Sequence, residues 1–371
     1  MPEQRRGEPL FVYLLFTIIF ICVVIILIEY VWLFILARRR AKQRNFYMES
    51  VKKINDMFYG ATHSLSEANL VDEIISLKKY VGNHEVRMDI ITEFIYRFLI
   101  TDDDETDKEI KTKEKQICVR IFHELNPNSF YKNMLSKGNQ FQKAFACRKL
   151  SEFNAVENTK TIRGFTNSGN IELKYHSVMA LSALGDHDGL VAAFTGAPIN
   201  KSNFSHRIML EVLDSYTGDR AALVKDILKK CNDYIKSIVI KSVAKYNDSE
   251  LSAEFLAGLT STDINVKIAS IRALGSLGDT QYEHELIIMT NDKEWSVRAA
   301  AVKSLSKYHS EKAVQAMIKA TQDQNWWVRN NAAKTLVDMD EGLVYSKQII
   351  NGYDRYAADA VKSAIYKKYK I

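Results

Sequence analysis

Asp292-Lys-Glu-Trp-Ser-Val-Arg-Ala-Ala-Ala-Val-Lys-Ser-Leu305 is followed, 31 residues on, by Asp323-Gln-Asn-Trp-Trp-Val-Arg-Asn-Asn-Ala-Ala-Lys-Thr-Leu336. The apolar residue before each Arg belongs to a longer series. Leu173, Phe204, Ile235, Val266, Val297 and Val328 are each 31 residues apart. A fixed period of this length means stacked copies of one small unit, so it bears on the fold before any propensity argument does.

We number positions from that apolar residue. Position +5 is apolar in every copy (Val178, Met209, Ile240, Ile271, Val302, Ala333), and so is +8 (Leu181, Val212, Val243, Leu274, Leu305, Leu336). Position +4 is small or apolar (Ser177, Ile208, Val239, Ser270, Ala301, Ala332). Offsets of 0, +4, +5 and +8 fall on one face of an α-helix. Position +12 is Gly185, Tyr216, Asn247, Gly278, His309 and Asp340. Gly, Asn and Asp there tolerate the left-handed conformation that closes a helix. A second, shorter apolar-patterned stretch follows each stop, as at Ala221–Leu228, Ala253–Leu259, Glu285–Thr290 and Ala313–Ala320. Each unit therefore reads as two antiparallel helices whose apolar face a neighbour must cover.

Position +1 is Lys174, Ser205, Lys236, Lys267, Arg298 and Arg329, a cation in five of six copies. Asp292 and Asp323 each stand six residues before an Arg. Such an acid can cap a helix start, and the cation of the next repeat is expected to pair with it. A repeated salt ladder of this kind reads first as scaffold.

The two quoted stretches, with Val266-Lys267, Ala273-Leu-Gly275 and Leu277-Gly-Asp279, resemble HEAT repeats. The short period resembles the HEAT-like repeats of the phycobilin lyase type. The resemblance covers roughly residues 140–371. It implies an all-α fold, a right-handed α-solenoid of HEAT-like helix pairs, and says little about function. Gln142–Leu150 looks like a degenerate copy, and Val86–Phe98 another, out of register. Between them Thr101–Glu109 holds six acids and one lysine, which reads as a solvated loop. Tyr356–Tyr369 looks like a final, capping copy.

Ahead of the repeats, Leu10–Leu36 is a 27-residue stretch with a single charge, Glu29. About 20 apolar residues suffice to cross a bilayer core, whereas a cleavable signal has an apolar core of about 7–15 and a small-residue cleavage site. A transmembrane helix preceding the solenoid is therefore expected. Arg38, Arg39, Arg40, Lys42 and Arg44 follow it directly, while Arg5 and Arg6 precede it beside Glu3 and Glu8. The positive-inside rule then places the N-terminus outside and the repeats in the cytoplasm, with the basic cluster against anionic head groups. Glu29 has two readings. At the boundary, beside Tyr30 and Trp32, it snorkels; deeper in the core it calls for a membrane-embedded partner. The expected division is an extracytoplasmic 1–9, a transmembrane helix over 10–37, a basic juxtamembrane linker over 38–50, degenerate helical repeats over 51–140 with an acidic loop at 101–109, and the repeat solenoid over 141–371.

Only 4 Pro and 15 Gly fall in 371 residues, which suits long helices. The net charge of +6 is concentrated at the N-terminus, leaving the repeat body near neutral, so nucleic acid is not an expected partner. Cys22, Cys118, Cys147 and Cys231 form no C-x-x-C pair. The isolated cysteines read as small core residues. No catalytic motif is present. His84, His123 and His284 each precede a Glu but lack a second His at zinc-helix spacing, and neither a phosphate-binding glycine loop nor a nucleophile elbow occurs. Asp186-His187-Asp188 falls at a turn between units, where Asp is expected anyway. No catalytic, metal or cofactor-binding residue is assigned, and no small-molecule substrate is expected.

Trp295 and Trp326 share one repeat position, which reads as a staple between repeats. Trp327 is different, because its equivalent is Ser296, so it is expected to face solvent and anchor a partner beside Arg329. The expected protein is a membrane-tethered cytoplasmic scaffold and not an enzyme. It would bind a protein client through Trp327, Arg329, Trp295, Arg298 and Glu29, and anionic lipid through Arg38, Arg39, Arg40, Lys42 and Arg44. A membrane enzyme or an export machine such as a polysaccharide synthase is a client class this reading admits. Two alternatives stand beside it: a phycobilin-lyase-like enzyme, and a membrane-embedded regulatory or sensing subunit acting through its anchor.

Overall fold

The computed structural model describes residues 8–63, 66–100, 108–196, 205–339 and 342–370. Phe204 and Asp340 of the repeat pattern, Arg5 and Arg6 of the N-terminal flank, and residues 101–107 of the acidic run lie outside them. Among the described residues all regular elements are helices, as the sequence leads one to expect. The chain divides into two compact units, Met1–Phe130 and Tyr131–Ile371.

The first unit is built on α1 (Glu8–Thr62), a single helix of 55 residues. At helical rise it is roughly 80 Å long. The cause is compositional: no Pro or Gly occurs between Leu10 and Tyr59, so nothing along that length breaks the hydrogen-bond ladder. The stretch 38–50, expected as a linker, is therefore helical and continuous with what precedes and follows it. Along α1 the environment changes in three steps. Phe20–Ile35 is exposed surface, apolar apart from Glu29. Arg38 to Arg44 is an exposed basic stretch. Ser50, Ile54, Phe58 and Ala61 are buried, spaced to lie on one face.

That buried face packs on α2 (Glu67–Val81), α3 (Glu85–Ile100) and α4 (Lys108–Leu125). Leu70, Ile74 and Leu77 come from α2, Ile91 and Ile95 from α3, and Ile117 and Ile121 from α4. The Phe58 ring lies 6.2 Å from Phe94 and 5.8 Å from Phe98. Higher on α1, the Arg87 guanidinium sits between Phe46 and Tyr80 and donates to the Tyr80 carbonyl at 2.9 Å.

From α5 (Pro127–Lys137) the chain enters the second unit, a run of helix pairs. The first helices are α6 (Gln140–Glu152), α8 (Ile171–Ala183), α10 (His206–Ser215), α12 (Asp233–Val243), α14 (Ile264–Leu277), α16 (Trp295–Ser304), α18 (Trp326–Asp338) and α20 (Arg355–Tyr369). Alternating with them are α7 (Thr159–Arg163), α9 (His187–Thr195), α11 (Arg220–Lys230), α13 (Ser252–Leu259), α15 (Glu283–Met289), α17 (Glu311–Ala320) and α19 (Gly342–Ile350). Each first helix packs on the first helix of the next pair.

The repeat positions do what their residue types require. Five of the six residues at position 0 are described, and all five are buried, as are all six at +5 and all six at +8. Position +4 is buried except at Ile208, which is half-buried. In five of the six copies the N-cap stands three residues before position 0; in α10 it is Ser205, one residue after it. Asn170, Asn232, Asp263 and Asp354 accept the position-0 N–H at 2.9 to 3.0 Å, or its equivalent in α20. The helix stops are left-handed at Gly185, Asn247 and Gly278, with φ of 68°, 51° and 68°. Tyr216 departs from this: its φ of −70° and ψ of 122° are extended, because a bulky residue avoids the left-handed region and the chain turns by leaving the helix instead. The approach of first helices is close enough that a Cβ on Gly275 would lie 2.5 Å from the Ser304 Cβ.

Candidate functional site

The start of each first helix decides which side chains reach solvent. Trp295 and Trp326 are the first residues of α16 and α18, only two positions before the buried Val297 and Val328. A side chain at that point has no preceding helical turn to rest on. Trp295 is 44% exposed, Trp326 51% and Trp327 55%. The expected staple is therefore corrected. The two equivalent tryptophans share a position because both open a helix, and both lie largely outside the core. Trp326 and Trp327 meet edge to face, their centroids 4.7 Å apart. The same opening position holds exposed Ile171 and Ile264, and Tyr234 stands exposed at the second position of α12. Sequence reasoning took only Trp327 as exposed; the nearness of the N-cap was the signal that the others are too.

The cation at +1 is engaged inside the stack, but with a different acid from the one expected. Lys267 Nζ lies 2.8 Å from Asp292 Oδ2. Arg298 donates from Nε and Nη2 to both oxygens of Asp323, at 2.7 and 2.9 Å. The acid thus pairs with the cation 25 residues before it, not with the Arg six residues after it. That Arg reaches backbone instead. Arg298 Nη1 donates to the carbonyls of Asp292 and Lys293, and Arg329 Nη1 to those of Asp323 and Gln324. The acid also holds the turn into the next first helix, since Asp292 accepts from the Glu294 N–H and Asp323 from the Asn325 N–H, each at 2.8 Å. Burial alone would raise these carboxyls. Lys267 and Arg298, with the turn N–H groups, more than offset it and hold both below the usual carboxylate range. The hydrogen bond to Asp323 in turn raises the Arg298 guanidinium above its ordinary value. Arg298 is mostly buried by this pairing, whereas Arg329 is half-buried with its guanidinium 5.4 Å from the Tyr356 ring.

A second row of cations was not singled out from the sequence, although the same period contains it. Position +6 is Lys241, Arg272, Lys303 and Lys334, on α12, α14, α16 and α18. All four are exposed, and among the described residues none makes an ion pair.

The remaining expected residues are on α1. Glu29 and Arg38, Arg39, Arg40, Lys42 and Arg44 are all exposed, with Glu29 about 13 Å along the helix from Arg38. They belong to the first unit, whereas Trp295, Trp327, Arg298 and Arg329 belong to the second. At the turn from α8 into α9, Asp186 accepts from Arg163 Nε at 2.6 Å and from the Gly189 N–H, and His187 Nε2 lies 3.1 Å from Asp226. Those side chains serve the turn. Cys118 and Cys147 are buried and Cys231 half-buried; burial pushes their thiols up to about 12, about 12 and about 11.

The family model for HEAT repeats matches residues 283–349, the span that runs from α15 through α19. The match is to HEAT repeats in general and does not single out the lyase type. No curated protein matches the chain. Solved structures similar to it include an engineered protein, 13% identical, TM-score 0.34, covering 85% of this chain and 98% of that one. Yeast importin-beta (Kap95p) is 14% identical with a TM-score of 0.32, covering 85% of this chain and 45% of its own. The karyopherin Kap121p bound to the extreme C-terminus of the protein phosphatase Cdc14p is 11% identical with a TM-score of 0.35, covering 86% and 47%. The chain thus spans about half the length of these karyopherins. At these scores neither shape nor role carries over, and the repeat assignment rests on residues 283–349 and on the helix pairs themselves.

Proposed function

We propose that the chain is a membrane-tethered scaffold whose repeat stack binds a protein client at the inner face of the membrane. The observation that carries the binding role is the exposure of Trp295, Trp326 and Trp327 at the starts of two successive first helices. Aromatic side chains of this size cost free energy in water, and they dominate the energetics of partner interfaces. Repeat stacks present such side chains on a rigid surface.

The tether rests on α1. Apart from Glu29, its Phe20–Ile35 stretch is apolar around the whole helix, as a membrane span requires, whereas a helix lying on the surface keeps one polar face. Arg38, Arg39, Arg40, Lys42 and Arg44 point in several directions around the helix axis and form a collar, which fits a helix that crosses head groups steeply. Positive-inside placement then puts both compact units in the cytoplasm. Because α1 is unbroken into the buried Ile54 and Phe58, the first unit is held directly on the tether.

The test is photo-crosslinking in native membranes from a probe placed at position 296, next to Trp295. A specific client band that is lost in Trp327→Ala, with no change in melting temperature, supports the scaffold. Absence of any client from the wild-type chain would sink it.

A further inference from the structure

The stack carries two cation ladders of the same period, and only one is engaged within the fold. The +1 ladder is bound to Asp292, Asp323 and the carbonyls of their turns. The +6 row, Lys241, Arg272, Lys303 and Lys334, faces solvent on four successive first helices. Carboxylates on these four helices are only two, Asp233 at the start of α12 and Asp338 at the end of α18. Asp233 lies 3.8 Å from Lys236 and Asp338 3.7 Å from Lys368, so both already face other lysines. Among the described residues, none of the four cations of the row is held in an ion pair.

Its spacing is set by helix packing. Neighbouring helices that meet through small residues lie about 8–10 Å apart. Ala301, Ala332 and the Gly275–Ser304 approach supply such contacts here. Successive cations therefore repeat at about 9 Å, and the four span roughly 27 Å. A polyproline-II chain has three residues per turn and rises about 3.1 Å per residue, so every third side chain returns to one side at about 9 Å. A β-strand returns every second side chain at about 6.7 Å and falls out of phase. A duplex nucleic acid offers phosphates far more densely than one cation per 9 Å could match. Tyr234 and Trp327 stand seven residues before Lys241 and Lys334, two turns away on the same face, at the two ends of the row. Exposed aromatic rings are what proline-rich chains dock on.

We infer that the +6 row of the repeat stack binds an acidic polyproline-II segment of a protein partner, one carboxylate at every third residue meeting one cation per repeat. This deepens the scaffold reading and rests on it. The contacts are charge-assisted and solvent-exposed, so affinity comes from four in register and weakens with salt.

The test uses the full chain in neutral-lipid nanodiscs and a fluorescein-labelled peptide of four Glu-Pro-Pro repeats, read by anisotropy. The expected result is saturable binding that falls as salt rises, at least tenfold weaker for a peptide of equal composition with its four Glu contiguous. Lys303→Glu with Lys334→Glu should cost at least tenfold at unchanged melting temperature. Lys303→Gln with Lys334→Gln serves if the reversal disturbs folding. Equal binding of both peptides, or of a 12-nucleotide oligothymidylate, would reduce the row to unspecific charge and overturn the inference. So would wild-type affinity in both double variants, or row-dependent binding to phosphatidylserine vesicles without peptide binding. If the charge variants still crosslink the client, the scaffold stands and only this inference fails; if the wild type crosslinks none, the scaffold itself fails.

Discussion

Arg298 joins two repeats through one side chain, gripping the Asp323 carboxylate ahead of it and the Asp292 carbonyl behind. Both partners of the pair are mostly buried. Arg298→Ala would leave Asp323 in place without its counter-charge, and we expect a loss of about 3 kcal/mol in denaturant unfolding. Lys should recover part of it, since a single ammonium cannot reproduce the two-pronged contact. The pair also sets an acid limit. The Asp292 and Asp323 carboxyls are held below their ordinary value, so the stability they contribute is present above about pH 4 and is lost as pH falls through their lower folded values. The denaturant midpoint of the wild type should drop as pH falls below about 4, and that limb should flatten in Asp323→Asn. The existence of the ladder was legible from the period. Its wiring was not, because a reach of 25 residues depends on how one repeat stacks on the next.

At the scale of elements, the first helices meet so closely that side chains are excluded at Gly275. Gly275→Ala should cost about 1–3 kcal/mol, and Ser304→Gly should restore part of it in the double variant, because it removes the Cβ and Oγ at 2.5 and 2.7 Å but leaves the Cα at 3.0 Å. Gly278 closes α14 at φ 68°, where Ala is strained, so Gly278→Ala should lower stability by about 1 kcal/mol with no such rescue. The other element with a measurable consequence is α1. Since 38–50 is helical, its backbone amides should exchange slowly with solvent deuterium in the intact chain. Fast exchange there would restore the linker. The sequence carried this information, for the segment lacks Pro and Gly, but a cluster of arginines after an apolar stretch reads as a boundary more readily than as the middle of a helix.

For the whole molecule, the tether and the client surface lie in separate compact units, so they should fail separately. Replacing Ile25 and Leu27 with Lys should release the chain from carbonate-washed membranes, at about 3 kcal/mol per charge brought to the centre of the span. Trp295→Ala with Trp326→Ala and Trp327→Ala should leave membrane retention intact and abolish client crosslinking.

The 31-residue period by itself determined that the C-terminal part is a stack of helix pairs, because burial at 0, +5 and +8 follows from periodicity alone. It also marked which positions are equivalent. Equivalence does not say whether a position is inside or outside, and only the tertiary structure decided that Trp295 and Trp326 are exposed, since their helices begin at those very residues. The same holds for the two cation ladders. Both follow the same period in sequence, yet stacking brings carboxylates and carbonyls to one and leaves the other in water.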